Sequence, residues 1–213
     1  MSSPPGQRSV KIANDERLGW SSDRPRRDGM PDRPADISVR GRVLSPSDRL
    51  RYSPGSLLLI VSPSLKERDA FVDRLIEERS AFFSHAKVRS LIEGRVPADV
   101  LDEKANELLQ AAVLKRLGSG ETVVVALDTL TPEERERYVR PAAALKRPRH
   151  LILLETGKDS VAEEDRAALN ELRRALDAGQ LGAEGIQTSL RLGGATISEV
   201  KKVVFRPPPR DDD

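Results

Sequence analysis

The sequence predicts an α/β fold, a three-layer parallel sheet with helices on both faces, preceded by a disordered N-terminal arm. Three continuous apolar runs, at residues 57–61, 123–127 and 151–154, have the length and composition of strands buried on both faces. Stretches with apolar residues at helical spacing separate these runs. Because strands that alternate with helices pair in parallel, we expect one parallel sheet covered on both sides.

The first two helices follow from apolar spacing alone. The first comes directly after the strand at 57–61, and its apolar positions are Ala70, Phe71, Leu75 and Ile76. The second ends near Gly118 and Gly120, because glycines commonly follow the last helical turn. Its apolar positions are Val100, Leu101, Ala105, Leu108, Leu109, Ala112 and Val113.

The next helix has a start signal of its own after the strand at 122–127. Thr131 suits the N-cap, Pro132 the first helical position and Glu134 the third. We expect this helix to break near Pro141, which has no N–H to donate.

A last helix and a last strand follow the run at 151–154. Ser160 and Glu163 form a capping box, and the buried stripe of the helix is Leu169, Leu172 and Leu176. Three arginines fall mostly opposite this stripe and are expected to be solvated: Arg166, Arg173 and Arg174. Residues 203–205 are the predicted final strand.

Composition excludes several kinds of site. The 213 residues contain no Cys and two His, so we expect neither disulfides nor thiolate nucleophiles, and no zinc site built from Cys or His. One Trp, two Tyr and four Phe provide few platforms for base stacking. No apolar run approaches the roughly 18 residues of a spanning helix. We therefore expect a cytoplasmic protein with no membrane contact, or a virion-associated one if the chain comes from a phage.

The net charge of +2 is unevenly distributed. Residues 1–55 hold 11 Lys and Arg against 7 Asp and Glu, whereas residues 56–213 hold 25 against 27. The first segment is also rich in Pro and Gly, with no sustained apolar period. The sequence thus predicts an arm over 1–55, a domain over 56–205 and a flexible tail over 206–213.

Two features of the arm suggest contact with a partner protein. Trp20 is the only tryptophan of the chain, and a short alternating stretch could add a strand to a sheet. The residues of that stretch that would bind are Ile37, Val39, Val43 and Leu44. A linker with scattered apolar residues is the alternative, and the basic excess leaves nucleic acid open as a partner.

Residues 120–135 resemble the third strand and following helix of P-loop kinases of the polynucleotide kinase and zeta-toxin type. The segment reads GETVVVALDTLTPEER, against a family pattern close to VVDATNLTPExR. The resemblance covers roughly residues 55 to 155 and extends weakly to 205. It implies a nucleotide-binding loop after the first strand, with the pattern GxxxxGK[ST], and Mg²⁺ and ATP as ligands.

The loop after residue 61 departs from that pattern at every reactive position. The two glycines fall on Ser62 and Glu67, the phosphate-binding lysine on Arg68, and the Mg²⁺-binding hydroxyl on Asp69. A Cβ at either glycine position obstructs the approach of a phosphate, and the Asp69 carboxylate would repel it. Ser64 and Glu67 instead form a capping box, which predicts an ordinary turn from strand to helix.

The other landmarks of the family are also changed. Its general base, an Asp, falls on Ala86 in a segment that keeps Arg89, so no base remains unless His85 serves. The acidic position of the third strand falls on Ala126. Asp128 follows the same strand and could imitate a Mg²⁺-holding carboxylate, although a turn-forming Asp is the commoner explanation.

These departures predict a P-loop-kinase-like protein without catalysis and without a bound cofactor. Such a protein would act as a binding or structural module for a macromolecular partner, within a larger assembly. Two alternatives remain. An unorthodox nucleotide or polynucleotide kinase would use ATP and Mg²⁺ through Arg68, Arg89 and Asp128. A nucleic-acid-binding module would use the basic arm.

Overall fold

The computed structural model describes residues 41–157 and 161–207. Its strands are β1 (Arg42–Leu44), β2 (Arg49–Tyr52), β3 (Leu57–Val61), β4 (Phe82–Ser84), β5 (Val123–Ala126), β6 (Arg149–Glu155), β7 (Thr188–Gly193) and β8 (Lys202–Phe205). Its helices are α1 (Leu65–Leu75), α2 (His85–Ile92), α3 (Leu101–Gly118), α4 (Pro132–Ala144), α5 (Glu163–Asp177) and α6 (Ala195–Glu199).

Six of the strands form one parallel sheet in the order β1-β7-β6-β3-β5-β4. The predicted α/β class with a parallel sheet is therefore confirmed. β3 lies at the centre between β5 and β6, and all five of its residues are buried. β2 and β8 pair in parallel as a separate two-stranded sheet.

The two faces of the large sheet are covered differently. Helices α3, α4 and α5 pack on one face, where their leucines and valines meet Leu59, Val125 and Leu153. On the other face α1 and the β2–β8 sheet pack against Ile60 and Ile152. The strand order explains this difference. The chain moves across the sheet toward one edge from β3 to β4 and toward the opposite edge from β5 to β6. Because both crossovers are right-handed, their helices lie on opposite faces of the sheet.

The fold begins before the predicted domain boundary at residue 56. Residues 42–44 pair with β7, and residues 49–52 pair with β8, so part of the predicted arm belongs to the domain. The alternation of Leu50 and Tyr52 with two arginines explains β2, because only those two side chains are buried. Val43 and Leu44 lie in β1, whereas Trp20, Ile37 and Val39 are outside the described residues.

Two helix predictions were wrong in detail. α4 is not broken at Pro141 but continues to Ala144, and the Leu145 N–H donates to the Pro141 carbonyl. A proline removes one helical hydrogen bond, and the burial of Ala142 and Ala143 keeps the last turn on the sheet. α5 begins at Glu163 with Ala162 at the N-cap, and the predicted cap Ser160 lies outside the described residues. No helix in the described part of the chain is long and apolar enough to cross a membrane.

Candidate functional site

The residues that the resemblance aligns with reactive positions of the kinases lie close together at one edge of the sheet. β3, β5 and β4 are neighbours and run in parallel, so the residues that follow them meet at their carboxyl ends. Ser62 and the start of α1 follow β3, Asp128 follows β5, and His85 follows β4. Ligands of open α/β sheets bind at such an edge, which makes it the candidate site.

The turn after β3 is closed by its own hydroxyl groups. The Ser64 N–H donates to Ser62 Oγ at 3.1 Å, and the Glu67 N–H donates to Ser64 Oγ at 3.3 Å. Ser64 is thus the N-cap of α1, as predicted from the spacing of Ser64 and Glu67. The reciprocal bond of a capping box is replaced, because Ser62 already accepts from the Ser64 N–H.

Arg68, which the resemblance aligns with a phosphate-binding lysine, points into the protein. Its side chain is 1% exposed. Nη1 donates to the Leu127 carbonyl and, at 2.6 Å, to Asp128 Oδ1. Nε and Nη2 both donate to Asp69 Oδ1, at 2.9 and 2.8 Å. Most of the N–H groups of the guanidinium are therefore engaged, and Arg68 ties the start of α1 to the end of β5.

Asp128 is held from two sides and does not stand as an isolated carboxylate. Besides Arg68, its Oδ2 lies 3.7 Å from His85 Nδ1. Its backbone N–H donates to Glu134 Oε1 at 3.1 Å, and the same Glu134 carboxylate accepts from the Thr129 N–H at 2.7 Å. Glu134 thus orders the loop after β5 instead of closing a capping box with Thr131, whose side chain caps nothing.

A chain of charged groups extends from Asp128 to α2 and α3. His85 Nε2 lies 3.3 Å from the Asp102 carbonyl oxygen, and Arg89 Nε donates to Asp102 Oδ1 at 2.9 Å. Arg89 also lies 3.4 Å from the Glu93 carboxylate. We name the set Asp69, Arg68, Asp128, His85, Asp102 and Arg89 the carboxyl-edge network.

The structure brings most of the predicted site positions together at the carboxyl ends of β3, β4 and β5. Ala86 lies exposed in the first turn of α2, and Ala126 is the buried last residue of β5. Glu67 is exposed on α1. Arg68, Arg89 and Asp128, which would have to contact a nucleotide and Mg²⁺, are bonded to groups of the protein itself, so this arrangement does not fit these ligands. Among residues 41–157 and 161–207, no three His, Asp or Glu side chains form a metal-binding group.

Sequence reasoning missed a second charged cluster at the same edge. Glu155, at the end of β6, accepts from Arg173 Nε and, at 2.7 Å, from Arg191 Nε. Burial alone would raise the pKa of Glu155, but the bonds from Arg191 and Arg173 outweigh it and hold the pKa below its usual value. Arg173, which we expected on a solvated face, therefore forms an ion pair within the protein. In the sequence, Leu190 and Leu192 alternate with Ser189 and Arg191, and this alternation is the signal that could have predicted β7.

Comparison of the chain with protein-family models and with curated proteins finds no match. The family resemblance therefore rests on the residues quoted above.

Proposed function

We propose that this chain is a P-loop-kinase-like protein that has lost phosphoryl transfer and works as a binding or structural module for a macromolecular partner. The arrangement of Arg68 carries the proposal. In a working loop a cation at this position would face the phosphates, whereas Arg68 is buried against Leu127, Asp128 and Asp69. Removing it from these partners would leave two carboxylates without their counter-charge.

The self-capped turn supports the same proposal. A phosphate at the start of α1 would need the free N–H groups of the first turn, and Ser64 already occupies one of them. The Asp69 carboxylate lies just beyond the first turn of α1 and is half exposed, so it would repel an approaching anion. Selection that keeps a fold and drops its chemistry would leave such a loop.

The kinase alternative needs three residues that have other partners in this structure. It uses Arg68 and Arg89 on phosphates and Asp128 on Mg²⁺, yet Arg68 is paired with Asp128 and Arg89 with Asp102. Under this alternative Asp128→Ala would abolish turnover. The nucleic-acid alternative depends on the arm, which lies mostly outside the described residues, and predicts binding that weakens steeply with salt.

Calorimetric titration with ATP, GTP and their diphosphates, with and without Mg²⁺, tests the proposal. We expect no heat of binding up to millimolar nucleotide, because Arg68 is paired within the protein and Ser64 caps the N-terminus of α1. A melting curve of the same sample provides the control that the domain is folded. Binding with micromolar affinity would contradict the proposal, and it would be assigned to this turn if Arg68→Met abolished it.

A further inference from the structure

Helix α3 has apolar residues on two faces, of which only one is buried. The inner face is buried, and its Leu109, Val113 and Leu117 belong to the core that covers the sheet. The outer face carries Leu108 and Leu114, which are 46% and 48% exposed, with the exposed Ala111 between them. These three side chains form an exposed apolar face, and nothing in the described part of the chain covers it.

A groove beside this face enlarges it. The groove has a volume of about 140 Å³ and runs between α3 and α4. Its apolar lining includes Ala111, Leu114, Tyr138 and Pro141, and Arg137 adds a positive charge.

The outer face of α3 is complementary to itself when the helix direction is reversed. Leu108 and Leu114 lie three residues on either side of Ala111, and Glu107 and Lys115 lie four residues on either side. In an antiparallel pair of such helices centred on Ala111, the Glu107 end of one copy lies beside the Lys115 end of the other. At each end of the pair, the Glu107 carboxylate of one copy then lies near the Lys115 ammonium group of the other. Leu108 of one copy lies beside Leu114 of the other.

We propose that the outer face of α3 is the interface of a symmetric dimer of this chain. The charge pattern selects a second copy as the occupant, because opposite charges stand at equal distances from Ala111 and a two-fold axis pairs them twice. A parallel pair would bring like charges together. Glu107 contacts Lys104 at 2.6 Å, but this pair is exposed and contributes little, so Glu107 is free to turn to the second copy.

Sedimentation of the full chain over a range of concentrations, with the charge reversals Glu107→Lys and Lys115→Glu, tests the dimer. We expect a monomer–dimer equilibrium that each single reversal weakens roughly tenfold, because each places like charges together at both ends. The double reversal should restore it, since the pairs are then exchanged. Glu164→Lys on α5 and Lys66→Glu on α1 make the same charge changes at exposed positions away from this face and should leave it unchanged.

Three results would overturn the proposal. A monomer at every concentration up to about 1 mM would show that the face does not self-associate. A dimer that both single reversals leave intact would show that another surface forms it. A double reversal no better than the single ones would rule out the antiparallel pairing, and circular dichroism of each variant establishes that it is folded.

Discussion

At the scale of single residues, Arg68 has a structural role: it ties the start of α1 to the end of β5. Its partners Leu127 and Asp128 are nearly sixty positions away along the chain, yet they lie within hydrogen-bonding distance because β3 and β5 are neighbours. A buried guanidinium is stable only when its charge and its N–H groups are matched, and here the protein itself provides both matches. The same pairing that closes the site therefore stabilises the fold.

Arg68→Met should lower the free energy of unfolding by about 2 kcal/mol, because Asp128 and the Leu127 carbonyl lose their partner while both carboxylates keep some contact with water. The measurement is urea unfolding of the variant and of the parent chain. Arg166→Met is the matched control, since its pair with Glu163 is exposed and should contribute less than about 1 kcal/mol. Equal losses in the two variants would contradict the structural role of Arg68.

His150 is a second residue whose effect can be measured alone. Burial, and then the nearby charge of Arg149, lower its pKa to about 4. The unfolded chain takes up the proton near pH 6.5 and the folded chain does not, so stability falls as the pH falls through that window. Between pH 7.5 and pH 5 we expect a loss of about 2 kcal/mol from this group.

Urea unfolding at the two pH values, for the parent chain and for His150→Gln, checks this expectation. The variant should lose less stability on acidification than the parent, because it has no imidazole to protonate in the unfolded state. The same slope in parent and His150→Gln would contradict the assignment.

At the scale of elements, α4 shows how packing outweighs local preference. Pro141 stands inside the helix and cannot donate to the Arg137 carbonyl four residues earlier, yet the helix continues through it. Tyr138, Val139 and Ala142 belong to the core beneath α4, and their burial holds the helix on both sides of the proline. A helix can therefore continue through a proline when the free energy lost with the missing hydrogen bond is smaller than the free energy gained by packing the residues around it.

Pro141→Ala should raise the free energy of unfolding by about 1 kcal/mol, because it restores the missing donor and removes the clash of the ring with the preceding turn. Pro132→Ala is the matched control: Pro132 occupies the first helical position, where a missing N–H costs nothing, and its replacement should give no gain. Thermal unfolding of both variants and of the parent chain measures the two changes in stability. A loss of stability in Pro141→Ala would show that the ring contributes packing.

At the scale of the whole molecule, the segment that composition assigns to the arm contributes two strands to the fold. Leu50 and Tyr52 are buried in the core beneath α1, and β1 and β2 pair with β7 and β8. Deletion of residues 1–40 should therefore change the melting temperature by less than about 2 °C, whereas deletion of 1–52 should lower it strongly or prevent folding. Calorimetry of the two truncated chains separates these outcomes, and equal melting temperatures would contradict the early boundary.

The sequence by itself determines the elements whose signals are local. The apolar runs of β3, β5 and β6 need no partner to be recognised, since a strand buried on both faces is apolar throughout. The Ser64 cap depends on a spacing of three residues within one turn. β7 was missed because Ser189 and Arg191 interrupt its leucines, although both faces of the strand lie within the fold.

Tertiary structure alone decided the state of the candidate site. The resemblance aligns Arg68 and Asp69 with reactive positions of the kinases, and Asp128 follows the apolar run of β5, but the sequence does not show where these side chains point. Their pairing depends on the strand order, which makes β5 the neighbour of β3 and brings Asp128 within 2.6 Å of Arg68. A buried charge pairs with a counter-charge that lies close to it, and only the folded chain determines which counter-charge is close.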